Sequence, residues 1–454
     1  MGYNAGVRWH VRALHLGLPT VALVFCLAFW YWAKHVYIPM IAAEVRTRNL
    51  PIGNNSDLYP RWLGARELLL HSRDPYSSEI TREIQIGFYG RPLDPKKKSD
   101  PIDKESFVYP LFVVFLLAPT VTLPFGVVVA IFRWVLMGSI ALSIPLWMYT
   151  MGFRLKPLVV LSGILFALGS FPGLVEYYQQ NLAALSVLLV AAAAACIAGN
   201  RLALGGGLLA FATMKPDTCG LLVVGLLAWA SFSWRSRQRL LWSFAGTIAI
   251  LLAISEILLP HWILRFIAAI REYTTYATTP NILQLLFPSF LGTLFSLLLL
   301  AFLFGLWFQW RTADATTLRF RWILAWTCIV TLAIIPKRAS YNQLLLIPPF
   351  LTLLSQFRDF KKGADIIQRA FVSTPFACLL LQWLTALFLS LSVIFGKQMP
   401  SPFVAGMPDH IFLAIVPLTL LAMTTMTFLP PTLQPMRGGQ PSQIDKSSRS
   451  QKEC

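Results

Sequence analysis

Apolar runs long enough to cross a bilayer recur along almost the whole chain, from Leu16 to Leu429, and no other feature restricts the fold as strongly. A soluble core cannot absorb so much apolar side chain: 56% of the 454 residues are hydrophobic, 13% are charged, and the mean hydropathy is +0.62. In hydrocarbon every main-chain N–H and C=O must be satisfied within the protein, so runs of this length are read as helices. They fall at 16–39, 126–150, 157–172, 180–198, 202–215, 217–233, 240–260, 288–309, 322–336, 341–356, 371–396 and 410–429, twelve expected spans. The stretch Phe107 to Pro124 is also apolar, but Pro110, Pro119 and Pro124 each remove a donor, so it is read as re-entrant or interfacial. The expected fold class is an all-α polytopic membrane protein.

Charge sets the expected orientation. A formal charge of +18 would suggest nucleic acid in a soluble protein, but here it is sorted by side of the membrane, and no nucleic-acid partner is expected. With a cytoplasmic N-terminus (1–15), the short inner loops hold fifteen Lys and Arg, among them Arg154, Arg235, Arg237, Arg311, Arg321 and Lys361. The short outer loops hold six: Lys215, Arg265, Arg271, Lys337, Arg338 and Lys397. Counting 107–124 as a span would reverse that asymmetry. The tail, 430–454, rich in Pro, Gly, Gln and Ser, is expected to be cytoplasmic and disordered. The first apolar run exceeds the h-region of a signal peptide, and Trp30, Tyr31, Trp32 and Lys34 read as an interface anchor.

The chemistry is expected in the outer segment 40–125, whose hydrophilic part, 40–106, carries ten of the twenty acids. Ser56 or Asp57 can cap a helix running to about Ser72, an interfacial helix with Leu58, Trp62, Ala65 and Leu69 on one stripe. Arg61, four residues after Asp57, is placed to pair with its carboxylate. For Asp57 two readings stand open, a helix cap with a surface ion pair and a catalytic base. Lys215, Lys337 and Arg338 lie against the positive-inside bias, so they either bind a phosphate together or snorkel toward headgroups. Tyr177 to Asn181 fits sugar hydroxyls or an aromatic belt equally well. There is no P-loop, no G-x-S-x-G, no H-E-x-x-H and no Cys or His spacing that would bind a metal; no cofactor is expected.

Asp57-Leu58-Tyr59-Pro60-Arg61-Trp62, Ala65 to Leu70, Asp74-Pro75-Tyr76-Ser77, then Tyr109-Pro110 opening a stretch that ends in Leu123-Pro124-Phe125, resembles the first outer loop of glycosyltransferase family 87. Gln180-Asn181, Lys215-Pro216 and Tyr341 to Pro348 extend the resemblance over most of 15–430. The chain departs from the family pattern at His71-Ser72-Arg73, at Gln179-Gln180 and at Tyr341-Asn342-Gln343. The resemblance implies a GT-C-like bundle of about twelve transmembrane helices, the first at 16–39 and the rest within 126–429, in a bacterial plasma membrane. It implies an inverting transfer of a mannose-like sugar from a polyprenyl-phosphate donor to a lipid or glycan acceptor on the outer face. Asp57 is then the base, Lys215, Lys337 and Arg338 the phosphate ligands, and Tyr59, Arg61, Tyr109, Gln180, Asn181, Tyr341 and Asn342 the substrate contacts. The rival classes are a transporter or flippase, which would need inverted repeats, and a polysaccharide polymerase or ligase, which places its large outer loop late in the chain.

Overall fold

The computed structural model describes residues 3–47, 53–94, 96–97, 100–277, 279–336, 339–396 and 401–428. Among them there is helix and loop but no strand. The order begins with α1 (Tyr3–Trp32), which runs through a π turn (Ala33–Tyr37) into α2 (Ile38–Thr47). The segment expected on the outer side folds as α3 (Leu58–His71), α4 (Ser78–Tyr89) and the short α5 (Val113–Leu117). There follow α6 (Phe125–Thr150), α7 (Pro157–Leu168), α8 (Phe171–Gln179), α9 (Ala183–Ala198), α10 (Leu202–Ala212), α11 (Pro216–Ser231), α12 (Trp234–Leu258) and α13 (Trp262–Ala277). The chain continues as α14 (Ile282–Leu286), α15 (Ser289–Gln309), α16 (Leu318–Ile334), α17 (Ile347–Gly363), α18 (Ile366–Ile394), α19 (Pro402–Ala405), α20 (Met407–Leu413) and α21 (Ile415–Phe428).

Among the described residues six stretches are long and apolar enough to cross a membrane: Gly17–Thr47, α6, α12, α15, α18 and Met407–Phe428. The protein is an integral membrane protein by this measure. Only 17–39% of their most apolar windows is buried within the protein, and side chains such as Trp134 and Ile257 stand 81% and 80% exposed. In water such surface would be costly; against lipid tails it is not. The other six expected spans also fall on helices, but these do not meet the same measure. α7 and α8 are bent by 61° at Gly169–Ser170 and make a seventh span only if taken together. α9, α10 and α11 have 16, 11 and 16 residues, so at 1.5 Å per residue they reach about 16–24 Å against a hydrocarbon core of about 30 Å. α16 carries Arg319 and Arg321 in its first turn, and α17 is preceded by a 3-10 turn at Ser340–Leu346.

At one end of the bundle Arg237 is buried and donates to the carbonyls of Trp229 (2.8 Å), Arg311 (2.9 Å) and Ala313 (2.9 Å) while its guanidinium lies 3.6 Å over the Trp229 ring. Arg321 crowds Gly152, whose φ of +79° a side chain would strain and whose missing Cβ leaves the guanidinium its room. Three of the loops expected on the inner side therefore meet at that end. α11 carries the chain to that end from Lys215 at the other.

This segment is not a loosely attached loop. α3 is buried at Leu58, Trp62, Leu63, Ala65 and Leu68, on more than the single stripe expected of an interfacial helix. The reason is that it is covered twice: Trp62 Nε1 and Arg66 Nη1 donate to the carbonyls of Thr120 and Val121 (both 3.1 Å), and α4 packs on its other side. Gly64 lets Phe107 lie against the helix where any Cβ would strike the ring. The proline-rich stretch 107–124 contributes only α5 and a 3-10 turn, Ala118–Thr120, among buried Phe107, Tyr109, Leu111 and Val114. α4 begins with Ser77, whose Oγ accepts from Ile80 N, and stops at Gly90. Ion pairs Arg265–Asp74 and Lys104–Glu272 tie the segment to α13.

Candidate functional site

Asp57 stands where this segment meets the turn between α8 and α9. It occupies the N-cap position of α3, yet its side chain makes no capping bond, because its own backbone is helical (φ −58°, ψ −18°). Ser56 takes that place: its carbonyl accepts from Tyr59 N (2.9 Å) and its Oγ from Leu58 N (3.4 Å). The Asp57 main chain is fixed instead by its N–H donating to the Gln179 carbonyl (2.7 Å) and by Arg61 Nη1 donating to its own carbonyl. The expected Arg61 pairing is thus made to the backbone. What the Asp57 carboxylate receives is a bond from Asn181 Nδ2 to Oδ2 at 2.7 Å, across 124 positions of sequence. Its other oxygen accepts no hydrogen bond among the described residues.

The α8–α9 turn is built to aim that amide. Gln180 adopts a left-handed backbone (φ 50°), ends α8, and accepts from Ser56 Oγ at 2.7 Å. Asn181 Oδ1 accepts from Ala183 N at 3.1 Å, fixing which end of the amide faces Asp57. Beneath the turn Glu176, 0% exposed, accepts from Ala184 N through Oε1 (2.7 Å), while its Oε2 has no hydrogen-bond partner among the described residues.

Two cavities meet at Asp57. The first, about 290 Å³, is lined by Asp57, Arg61, Glu105, Tyr109, Lys215 and Tyr341, with Asn181, Asp103, Asp217 and apolar groups of α13. The second, about 460 Å³, is lined by Asp57, Asn55, Glu105, Gln179, Ser340, Tyr341 and Asp409, with Tyr37, Phe88 and Phe171. In the first cavity Lys215, 4% exposed, pairs with Asp217 Oδ2 at 3.1 Å and lies 5.2 Å over the Tyr341 ring. Arg61 lies 4.5 Å over the Tyr109 ring, which Lys215 also approaches at 6.0 Å. Burial works against the charge of Arg61, but Tyr109, Asp57 and Glu105 outweigh it and hold its guanidinium above the ordinary arginine value. Arg61 Nε has no hydrogen-bond partner among the described residues. A buried and a half-buried cation around one ring, one with an orphan donor, suit an anion. Tyr109 itself is fixed by Tyr76, whose hydroxyl donates to its carbonyl at 2.7 Å.

The structure brings Asp57, Arg61, Tyr109, Asn181, Lys215 and Tyr341 together. Gln180 and Asn342 support the site from outside it; Asn342 Oδ1 accepts from Thr218 Oγ1 at 2.9 Å in α11. Tyr59 lines neither cavity: its ring packs against Phe125 (4.8 Å) and fills the space left by Gly87. Lys337, Arg338 and the tail 430–454 lie outside the described residues. Of the other acids, Glu67 accepts from Arg73 at 2.7 Å and Asp74 from Arg265, so both are engaged in holding the segment. The sequence reading passed over Glu105 and Asp409, which reach the site from other parts of the chain; the one local sign is the φ of +48° at Glu105, visible only in the fold. No protein-family model, no curated protein and no solved structure matches the chain.

Proposed function

We propose that the chain is an inverting glycosyltransferase that moves a mannose-like sugar from a polyprenyl-phosphate donor to a hydroxyl acceptor on the outer face, with Asp57 as base. The observation that carries this is the Asp57 carboxylate: released from capping, oriented by one amide, and lining a cavity that also holds Lys215 and Arg61. In the reaction the acceptor oxygen bonds to sugar C1 from the face opposite the phosphate, and its proton passes to Asp57. The C1–O bond breaks with its electron pair leaving on the polyprenyl phosphate, a stable anion that needs no general acid; a glycoside hydrolase would need a second carboxyl group there. Lys215 and Arg61 are the described groups suited to the departing charge. The resemblance of 57–76 and 107–125 to glycosyltransferase family 87 points the same way, as does the expected topology of about twelve spans with both termini inside.

The test is to incubate purified protein with labelled polyprenyl-phosphate sugars and membrane extract, and to follow both label transfer and the anomeric configuration of the product. Transfer with inversion supports the proposal; absence of transfer from every donor overturns it. A lipid flippase is the competing reading, favoured by the 61° break between α7 and α8. It requires movement of intact donor across vesicles without release of polyprenyl phosphate.

A further inference from the structure

Arg133 is the only arginine inside the twelve apolar runs read from the sequence. It sits on α6 about 12 Å beyond Phe125, the end against which Tyr59 and Trp62 of α3 pack. α6 has 26 residues, about 39 Å, against a hydrocarbon core of about 30 Å, so Arg133 leaves the helix below the head groups on the Asp57 side of the bundle. A charge at that depth is costly unless something answers it. Of the twenty acids only Asp445 and Glu453, in the tail, lie outside the described residues, and none of the others pairs with Arg133. Its guanidinium makes no hydrogen bond among the described residues, and its Nε is enclosed.

An arginine that snorkels turns its donors out to water. Arg133 instead is half-buried, with its guanidinium 4.9 Å over the Tyr177 ring of α8. That ring is held in place: Trp30 of α1 and Tyr178 meet it edge to face at 5.0 and 5.2 Å, and Gln180 Nε2 donates to the Tyr177 carbonyl. The Arg133 charge also reaches the Tyr178 phenol. Neither phenol hydroxyl makes a hydrogen bond among the described residues. On α6 the neighbours Ile131, Trp134 and Val135 are exposed, so the cleft between α6 and α8 borders lipid. Arg133, Tyr177 and Tyr178 line neither cavity at Asp57. The cluster is separate from Arg61 and Lys215.

We propose that Arg133, Tyr177 and Tyr178 bind the phosphate of an anionic membrane lipid that enters between α6 and α8 from the bilayer. The uncompensated charge selects an anion, and the depth selects one carried by a lipid, since a free phosphate loses its hydration on the way there. One edge of a guanidinium presents two parallel donors to two phosphate oxygens, and the phenols add a donor each. A head group that also carries an ammonium meets repulsion from Arg133 with no carboxylate to offset it. The lipid then braces α8 just before Gln179, whose carbonyl holds the Asp57 N–H. The site stands whether or not the protein transfers sugar.

The experiment uses the full-length protein in phosphatidylcholine nanodiscs doped with a phosphatidylglycerol that carries a photoreactive diazirine on its acyl chain close to the glycerol. The expected result is labelling of α6 or α8, competed by unlabelled phosphatidylglycerol or farnesyl phosphate and not by inorganic phosphate or added phosphatidylcholine. Competition by either anionic lipid supports the proposal, and the stronger one tells a glycerolipid phosphate from an isoprenoid phosphate. Arg133→Gln should lower labelling about tenfold. Arg133→Lys keeps the charge without the fork and should lose less; Tyr177→Phe keeps the ring under the guanidinium and should lose only what the hydroxyl adds. Arg235→Gln, exposed at the opposite end of the bundle, should change nothing. Phosphatidylglycerol should also raise the melting temperature of the parent and not that of Arg133→Gln, which separates lost binding from lost folding. Parental labelling of a folded Arg133→Gln protein, equal competition by phosphatidylcholine, or full competition by inorganic phosphate overturns the proposal.

Discussion

Asp57→Asn separates a chemical role from a structural one because the structure gives the side chain so little else to do. It makes no capping bond, so the cost of about 1 kcal/mol that follows loss of a cap does not arise, and Asn would cap well in any case. The contact at stake is the 2.7 Å bond from Asn181. A hydrogen bond to a charged group is worth about 1.5–3 kcal/mol and a neutral one about 0.5–1.5, and Asn still presents an oxygen to that amide, so stability should fall by about 1–2 kcal/mol or less. A base that cannot accept a proton costs about 10²–10⁴ in rate, which corresponds to about 3–5 kcal/mol at the transition state. The kinetic effect therefore exceeds the structural one. In nanodiscs, transfer of labelled sugar should drop at least 100-fold while donor binding and the melting transition stay near parental. Near-parental turnover by a folded Asp57→Asn protein would refute the reasoning. Glu67 and Asp74 are engaged by Arg73 and Arg265, so Glu176 would be the next carboxyl to test.

Asn181→Asp sets a second carboxyl within hydrogen-bond reach of the first, and two such groups do not both ionise readily; the acid limb of the pH–rate profile should move to higher pH, with activity returning on the alkaline side. Lys215→Met removes a buried cation from the first cavity and should lower kcat/KM for the donor by about 10²-fold; an unchanged value would make Lys215 a structural partner of Asp217 alone. Arg237→Ala leaves the Trp229 and Arg311 carbonyls without their donor, Ala313 keeping Trp229 Nε1, and should destabilise the protein by about 2–4 kcal/mol in thermal unfolding, against about 0.5 or less for exposed Arg235→Ala. The Arg91 guanidinium and the Asp94 N–H hold the Asp100 carboxyl well below the usual carboxylate range. A depressed folded value means that the unfolded chain binds the proton first, so this clip stabilises fully above the ordinary value near 3.8 and is lost as pH falls beneath it; Asp100→Asn should remove that pH dependence from hydrogen exchange at 91–100.

The sequence by itself determined that the chain is helical and lives in a membrane, since apolar runs of this length leave the backbone no partner but its own helix. It also pointed to the segment 40–125 as the place to look for chemistry, because acids concentrated beside so apolar a chain need a polar place to stand. It could not decide how many helices reach across. Whether α9 to α11, short as they are, count as spans depends on how neighbours cover their ends, and neighbours are not written in hydropathy. The same holds for Asp57. Spacing along one helix suggested a cap and an ion pair with Arg61, and both contacts went elsewhere, to Ser56 and to the main chain. The partner that the carboxylate has is Asn181, brought in by a left-handed residue at Gln180 and by the Asp57 N–H bonded to Gln179. Glu105, Tyr341 and Asp409 arrive from three further stretches. A one-dimensional pattern fixes which residues share a helix face, because the helix repeat is local; which faces then meet is set by packing between helices far apart in the chain, and that only the tertiary structure decided.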